Sequence, residues 1–196
     1  MKTHNNVTGL ILAGGMARRM GGIDKGLVTL EGRPMISYII DTLRPQVNSI
    51  LINANRNIST YEEYGYDVIR DEIEDYQGPL AGMASGLRYC KTDYISTVPC
   101  DGPVLPDNYI DILVQAAYQT DAPISVGFDG KRLQPVYALI HRDLLSDLNE
   151  YLGAGERKID RWYDRHPFAK ADFSSRTDMF TNINTPEDLK SASSLL

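Results

Sequence analysis

Five short apolar runs punctuate the first two thirds of the chain: VTGLIL (7–12), SILINA (49–54), YDVIR (66–70), DYISTVP (93–99) and APISVG (122–127). Runs this short, bounded by glycine, proline and polar residues, predict buried strands. Between them, PMISYIIDTLRPQV (34–47), GPLAGMASGLRYC (78–90) and DNYIDILVQAAY (107–118) repeat apolar positions three and four apart. That is the spacing of a helix with one buried stripe. Strand alternating with helix implies an α/β fold, a largely parallel sheet with helices on both faces.

Punctuation refines the picture. Pro34 suits the first turn of a helix and Pro45 its end, because proline lacks an N–H and cannot continue the ladder. The first full helix therefore starts well after the first strand ends, and the intervening glycine-rich connection is long enough to suggest function. In the second half, RLQPVYALIH (132–141) reads as a strand and RDLLSDLNEYLGAG (142–155) as a helix closed by Gly153 or Gly155. KADFS (170–174) and DMFTNIN (178–184) read as short strands or extended segments. At the end, Thr185, Pro186 and Asp188 match N-cap, first helical residue and the acid of a capping box. No repeat, linker or low-complexity segment divides the chain, so one domain over residues 1–196 is expected.

Composition narrows the function classes. Hydrophobic residues make up 42% of the chain, yet no run reaches the roughly 18 apolar residues a membrane span needs. The N-terminal stretch runs into glycines and arginines instead of a small-residue cleavage site, which predicts no export signal and a cytoplasmic protein. A net charge of −6 disfavours a broad nucleic-acid or membrane-surface binder. Cys90 and Cys100 do not form a CxxC pair, and His4, His141 and His166 are scattered, so neither a disulfide framework nor a zinc site is expected.

The local exception to this acidity is LILAGGMARRMGGIDKGLV, residues 10–28, where Gly14, Gly15, Gly21 and Gly22 are interleaved with Arg18, Arg19 and Lys25. A strand running into glycines exposes backbone N–H groups to a close-approaching polyphosphate, and the basic side chains add charge. Spacing alone also permits a solvated basic surface loop. The segment contains no GxxxxGK[ST] and no GxGxxG in register, which disfavours a P-loop and a dinucleotide fingerprint. Asp101 follows the apolar YISTVPC and falls at the C-terminal end of a strand, where α/β folds bind ligands. A carboxylate there suits Mg²⁺, or else caps the next helix. Asn53 and Asp71 also end predicted strands, as ligand contacts or as turn residues. Gly78 and Gly82 flank a helix start that suits an anion. Cys100 reads as a small packed residue.

LILAGGMARRMGGIDKG resembles the signature of the molybdenum cofactor guanylyltransferase family, and VNSILINANR, VIRDEIEDYQGPLAGM, VPCDGPVLP and FTNINTPEDL resemble further blocks of that family in the same order. The resemblance covers essentially the whole chain. It implies a Rossmann-like nucleotidyltransferase fold and transfer of GMP from GTP to the terminal phosphate of molybdenum-bound molybdopterin, with release of pyrophosphate. It implies Lys25, Asp101 and Arg19 as catalytic residues and Asp101 as the Mg²⁺ ligand. GTP would contact Leu12, Ala13, Gly14, Gly15, Lys25, Asn53, Asp71 and Asp101. Gly78, Gly82, Asn182 and Asn184 would serve the pterin or its phosphates. The carboxylate of Asp71 suits the N–H donors of guanine. Molybdenum-insertion proteins, chaperones and recipient molybdoenzymes are the implied partners. Family members often carry threonine where this chain has Gly102. The alternatives are a molybdopterin cytidylyltransferase, a sugar-phosphate nucleotidyltransferase, or a nucleotide-binding molybdopterin carrier that does not turn over.

Overall fold

A computed structural model describes residues 3–15, 24–72 and 78–192. In chain order it contains β1 (His4–Leu12), β2 (Thr29–Leu30), β3 (Arg33–Pro34), α1 (Met35–Leu43), β4 (Val47–Asn53), α2 (Ile58–Glu62), β5 (Asp67–Ile69), α3 (Pro79–Tyr89), β6 (Tyr94–Pro99), α4 (Tyr109–Thr120), β7 (Ile124–Phe128), β8 (Leu133–His141), α5 (Leu145–Gly153), α6 (Ile159–Tyr163), β9 (Phe168–Asp172) and α7 (Pro186–Ala192). The main sheet has the order β5-β4-β1-β6-β8-β7-β9. Only β8 runs against its neighbours, pairing antiparallel with both β6 and β7. The expected α/β architecture with a mostly parallel sheet is therefore present.

Side-chain alternation along the strands builds two cores. Val7 and Ile11 of β1, Ile50 and Ile52 of β4 and Val98 of β6 pack with α1 and α4. Leu10, Leu51 and Ile95 point the other way, onto α3, α5 and α6. This is the period-2 rule of a strand buried on both faces. A third, small cluster joins Leu30 and Met35 to Ile183 and anchors the C-terminal segment beside β2 and β3.

The chain steps outward from β1 to β4 and β5, then crosses back to β6 on the other side of β1. Such a reversal opens a crevice at the C-terminal strand ends. Leu12 lies opposite both Asn53 and Pro99, so β1, β4 and β6 finish level. Backbone bonds extend that alignment: Ala13 N–H donates to the Asn53 carbonyl at 2.8 Å and Cys100 N–H to that of Leu12 at 3.1 Å.

Several local expectations are met. Pro34 sits at the N-cap of α1, and Pro45 lies in the short 3₁₀ turn that follows it. The capping box before α7 is formed, with Asp188 N–H donating to Thr185 Oγ1 at 3.1 Å and Asp188 Oδ2 accepting from Thr185 N–H at 2.9 Å. After α5 it is Gly155, with φ 85°, that takes the left-handed turn. One segment is corrected: residues 178–180 of DMFTNIN belong to a 3₁₀ turn, Thr177–Phe180, and only the residues after it are extended. That turn closes because Thr181 N–H reaches the Asp178 carbonyl at 3.0 Å.

Candidate active site

The crevice at the strand ends is a cleft of about 460 Å³ lined by Leu12, Ala13, Gly14 and Gly15 after β1, Asn53 and Asp71 after β4 and β5, Gly78 and Pro79 at the start of α3, and Pro99, Cys100 and Asp101 after β6, with Lys25, Val136 and Asn182. The volume is in the range of small-molecule sites. Sequence positions that are far apart converge here because every parallel strand of the sheet delivers its C-terminus to the same edge.

At one end stands a charged group. Lys25 Nζ donates to Asp101 Oδ2 at 2.8 Å, the two side chains being 20% and 14% exposed. The same ammonium donates to Asn184 Oδ1. Asn184 is held by its own backbone N–H, which donates to Asp188 Oδ2 at 2.9 Å. Hydrogen bonds from the backbone of Asn184 and from Thr185, with the charge of Lys25, hold the Asp188 carboxyl below its ordinary range. Asn182 and Asn184 flank the buried Ile183, whose N–H donates to the Asp101 carbonyl at 2.8 Å. The C-terminal segment thereby completes the site.

At the other end Asp71 is gripped from two sides. Asn53 Nδ2 donates to Oδ1 at 2.9 Å and Asn55 Nδ2 to Oδ2 at 2.7 Å. Asn53 itself is almost fully buried, at 2% exposure. Between these ends run the glycines, whose close neighbours explain them. A Cβ on Gly14 would stand 3.1 Å from Asn55 Nδ2, and one on Gly82 would collide with Asn53 Oδ1 and lie 2.8 Å from Leu12 Cδ2.

Gly82 is thus placed beneath Asn53, buried in α3 and away from the cleft wall, whereas Gly78 lines the cleft with φ 84°. Arg19, with Arg18, Gly21 and Gly22, lies outside the described residues. Gly102 also has a reason: a side chain there would run into the Tyr137 hydroxyl, which is committed to the Met179 carbonyl at 3.1 Å. Burial pushes the Cys100 thiol well up, aided by the neighbouring charges of Asp101 and Asp24, so it is a neutral wall group as its sequence context suggested.

Sequence reasoning missed the residues that hold Gly15 and Asp24. Asp24, 6% exposed, accepts from the Tyr61 hydroxyl at 2.5 Å and from Asn57 Nδ2 at 3.1 Å. Arg56 Nε stands 3.6 Å from Asp24 Oδ2, while its Nη2 donates to the Gly15 carbonyl at 3.1 Å. Burial pushes the Tyr61 phenol up, so it remains a donor. The NANRN run, residues 53–57, thus carries a cluster of amide and guanidinium donors directly after a strand, the signal that could have found it.

Comparison with known proteins agrees with this geometry. Residues 9–169 match the MobA-like NTP transferase domain. The chain is 49% identical over 181 residues to the molybdenum cofactor guanylyltransferase of Shewanella piezotolerans, covering 92% of this chain and 89% of that one. It is 50% identical to the enzyme of the same name from Shewanella sediminis, covering 92% of each. Among solved structures, molybdopterin-guanine dinucleotide biosynthesis protein A from Archaeoglobus fulgidus superposes with a TM-score of 0.78 at 20% identity, over 96% of this chain and 97% of that one; at that identity the likeness concerns the fold. By the extent of the domain match and the identity to these relatives, the chain belongs to the MobA-like NTP transferase family.

Proposed function

We propose that this chain is a cytoplasmic molybdenum cofactor guanylyltransferase, moving GMP from GTP to the terminal phosphate of molybdenum-bound molybdopterin and releasing pyrophosphate. The observation that carries the reading is the polarity of the cleft. Lys25, Asp101 and the bare backbone of Gly14 and Gly15 form an anion-handling end, and Asp71 with its two asparagines forms an acceptor end. A nucleoside triphosphate needs both, one for phosphates and one for a base edge.

The reaction asks little covalent chemistry of the protein. The attacking group is a phosphate monoester, whose second pKa of about 6 leaves it largely ionised at neutral pH. Catalysis then rests on alignment and charge neutralisation. Lys25 supplies a mobile positive charge for the triphosphate, and the glycine backbone supplies N–H donors. Asp101 is a hard, partly buried carboxylate at the cleft floor, and Mg²⁺ is commonly held by one or two carboxylates with substrate phosphates completing its shell. These residues therefore fit the metal, with Asp101 as its holder. Bound there, Mg²⁺ would neutralise charge on the phosphate oxygens. In the structure Lys25 and Asp101 satisfy each other.

Asp71 at the base end would accept from guanine N1–H and the 2-amino group, donors that adenine and cytosine do not present in that pattern. Asn182, which lines the cleft, and Asn184, which accepts from Lys25, would contact the phosphates of the acceptor. The molybdenum-bearing product would pass to insertion proteins, chaperones or recipient molybdoenzymes. Among the described residues no helix is long and apolar enough to cross a membrane.

Calorimetric titration with GTP, CTP, UTP and ATP in Mg²⁺ tests the reading. Selective GTP binding is expected, weakened about tenfold or more in Lys25→Ala, the factor for losing a charge-assisted contact. A preference for CTP would overturn the guanylyl assignment in favour of a cytidylyl one.

A further inference from the structure

β4 and β5 end side by side, with Asn53 opposite Ile69. The residues that follow each strand therefore leave the sheet together, and Asn55 meets Asp71 in a closed pair of hydrogen bonds. The Asn55 side-chain N–H donates to Asp71 Oδ2 at 2.7 Å, and its carbonyl oxygen accepts the Asp71 backbone N–H at 2.9 Å. Asn53 holds the other carboxylate oxygen at 2.9 Å. A carboxylate gripped at both oxygens cannot rotate about its Cβ–Cγ bond without breaking a bond.

We propose that Asn55 is a specificity-determining positioning residue, which fixes the plane of the Asp71 carboxylate so that it reads the base edge of the bound nucleotide. The inference rests on the base-recognition reading of Asp71. A carboxylate has about four lone-pair sites. The two asparagines take one on each oxygen, leaving one on each for the paired N–H donors of guanine. Free rotation would blur that match, and the doubly anchored Asn55 side chain prevents it. Gly14 makes the arrangement possible, since a Cβ there would press on the Asn55 amide. The first glycine of the signature loop then serves base recognition as well as phosphate approach.

The test compares GTP with inosine triphosphate, which lacks only the 2-amino group, by calorimetry in Mg²⁺ on the full chain. Wild type, Asp71→Asn, Asn55→Ala, Asn55→Asp and the Asp71→Asn/Asn55→Ala double variant are titrated. Asn55→Ala is expected to reduce the GTP preference about tenfold, the factor carried by one hydrogen bond to a charged group, and to add nothing in the Asp71→Asn background. Asn55→Asp keeps the shape and the acceptor for the Asp71 N–H but replaces the donor with a second carboxylate. Its GTP preference is expected to be lost at pH 8 and to return in part near about pH 5, where the two carboxylates share a proton, with no such recovery in wild type.

If Asp71→Asn abolishes the preference while both Asn55 variants keep it, the proposal is overturned. Equal weakening of GTP and inosine triphosphate by the Asn55 variants, a general structural effect, overturns it too. If wild type does not distinguish the two nucleotides, or Asp71→Asn leaves the preference intact, the base reading of Asp71 has failed and this inference falls with it.

Discussion

At Gly82, one turn into α3, a single methyl group decides whether Asn53 can stay where it is. Alanine in a helix interior normally gains roughly 1 kcal/mol over glycine. Here the added carbon would collide with Asn53 Oδ1 and approach Leu12 Cδ2 to 2.8 Å, and overpacking of that kind costs about 1–3 kcal/mol. The clash outweighs the propensity, so Gly82→Ala lowers the urea midpoint. Gly153, at the last turn of α5, has nothing near its would-be Cβ, and Gly153→Ala raises the midpoint by about 0.5–1 kcal/mol of stability. If both substitutions shift stability the same way, the packing explanation of Gly82 is wrong. The same contrast shows what could be read from sequence. Lys25, Asn53, Asp71 and Asp101, which line one cleft, could be picked out as candidates because strand ends and a glycine loop mark positions along the chain. Asn55 and Asp24 were not, since their roles depend on partners 16 and 37 residues away.

Elements are held by polar ties as well as by their apolar stripes. Asp147 of α5 accepts from Trp162 Nε1 of α6 at 2.7 Å, from Arg165 Nη2 at 2.7 Å and from His166 Nε2 at 2.9 Å. Burial alone would raise this carboxyl, but the hydrogen bonds from His166 and Trp162, with the charges of His166 and Arg165, outweigh it and hold it low. The native state therefore binds fewer protons at Asp147 than the unfolded chain does. Its stabilisation is complete above the unfolded carboxylate value of about 3.9 and fades as pH falls below it. Asp147→Asn should cost about 1–3 kcal/mol at pH 7, and the gap in urea midpoint to wild type should narrow at pH 3. A gap that stays constant with pH would show that the ionised form contributes nothing. This tie explains why α6 escaped the periodicity reading. A five-residue helix is too short to show a period, and it forms because Trp162 and Tyr163 are buried against the sheet. The β2–β3 hairpin was hidden differently: its turn places Glu31 and Gly32 at φ 47° and 79°, and glutamate is not a residue that signals a left-handed turn.

Across the whole molecule, alternation of strand and helix was enough to predict the α/β class, and the parallel strand ends were enough to predict where the cleft opens. The exception is β8. Its sequence reads as a strand, but nothing in a hydrophobic run encodes direction. It runs antiparallel because it returns from β7 through a hairpin in which Asp129 accepts from the backbone N–H groups of Lys131 and Arg132 at 2.8 Å, so it inserts between β6 and β7. The Asp129 carboxyl is lowered to about 2 by those two bonds and stays ionised in the hairpin. β8 supplies Val136 to the cleft and Tyr137, whose hydroxyl donates to the Met179 carbonyl beside Gly102. The C-terminal segment closes the same wall, so Asp71, Lys25, Asp101 and Asn182 all line one cleft along one edge of the sheet.

That arrangement makes one assay decisive for the account as a whole: pyrophosphate release from each of the four nucleoside triphosphates, with Mg²⁺ and the molybdenum-bearing pterin as acceptor. Release from GTP is expected to depend on the acceptor and to be strongly reduced in Lys25→Ala and Asp101→Asn. Tight GTP binding without pyrophosphate release would identify a carrier instead of a transferase, and release from CTP in preference to GTP would contradict the guanylyl assignment.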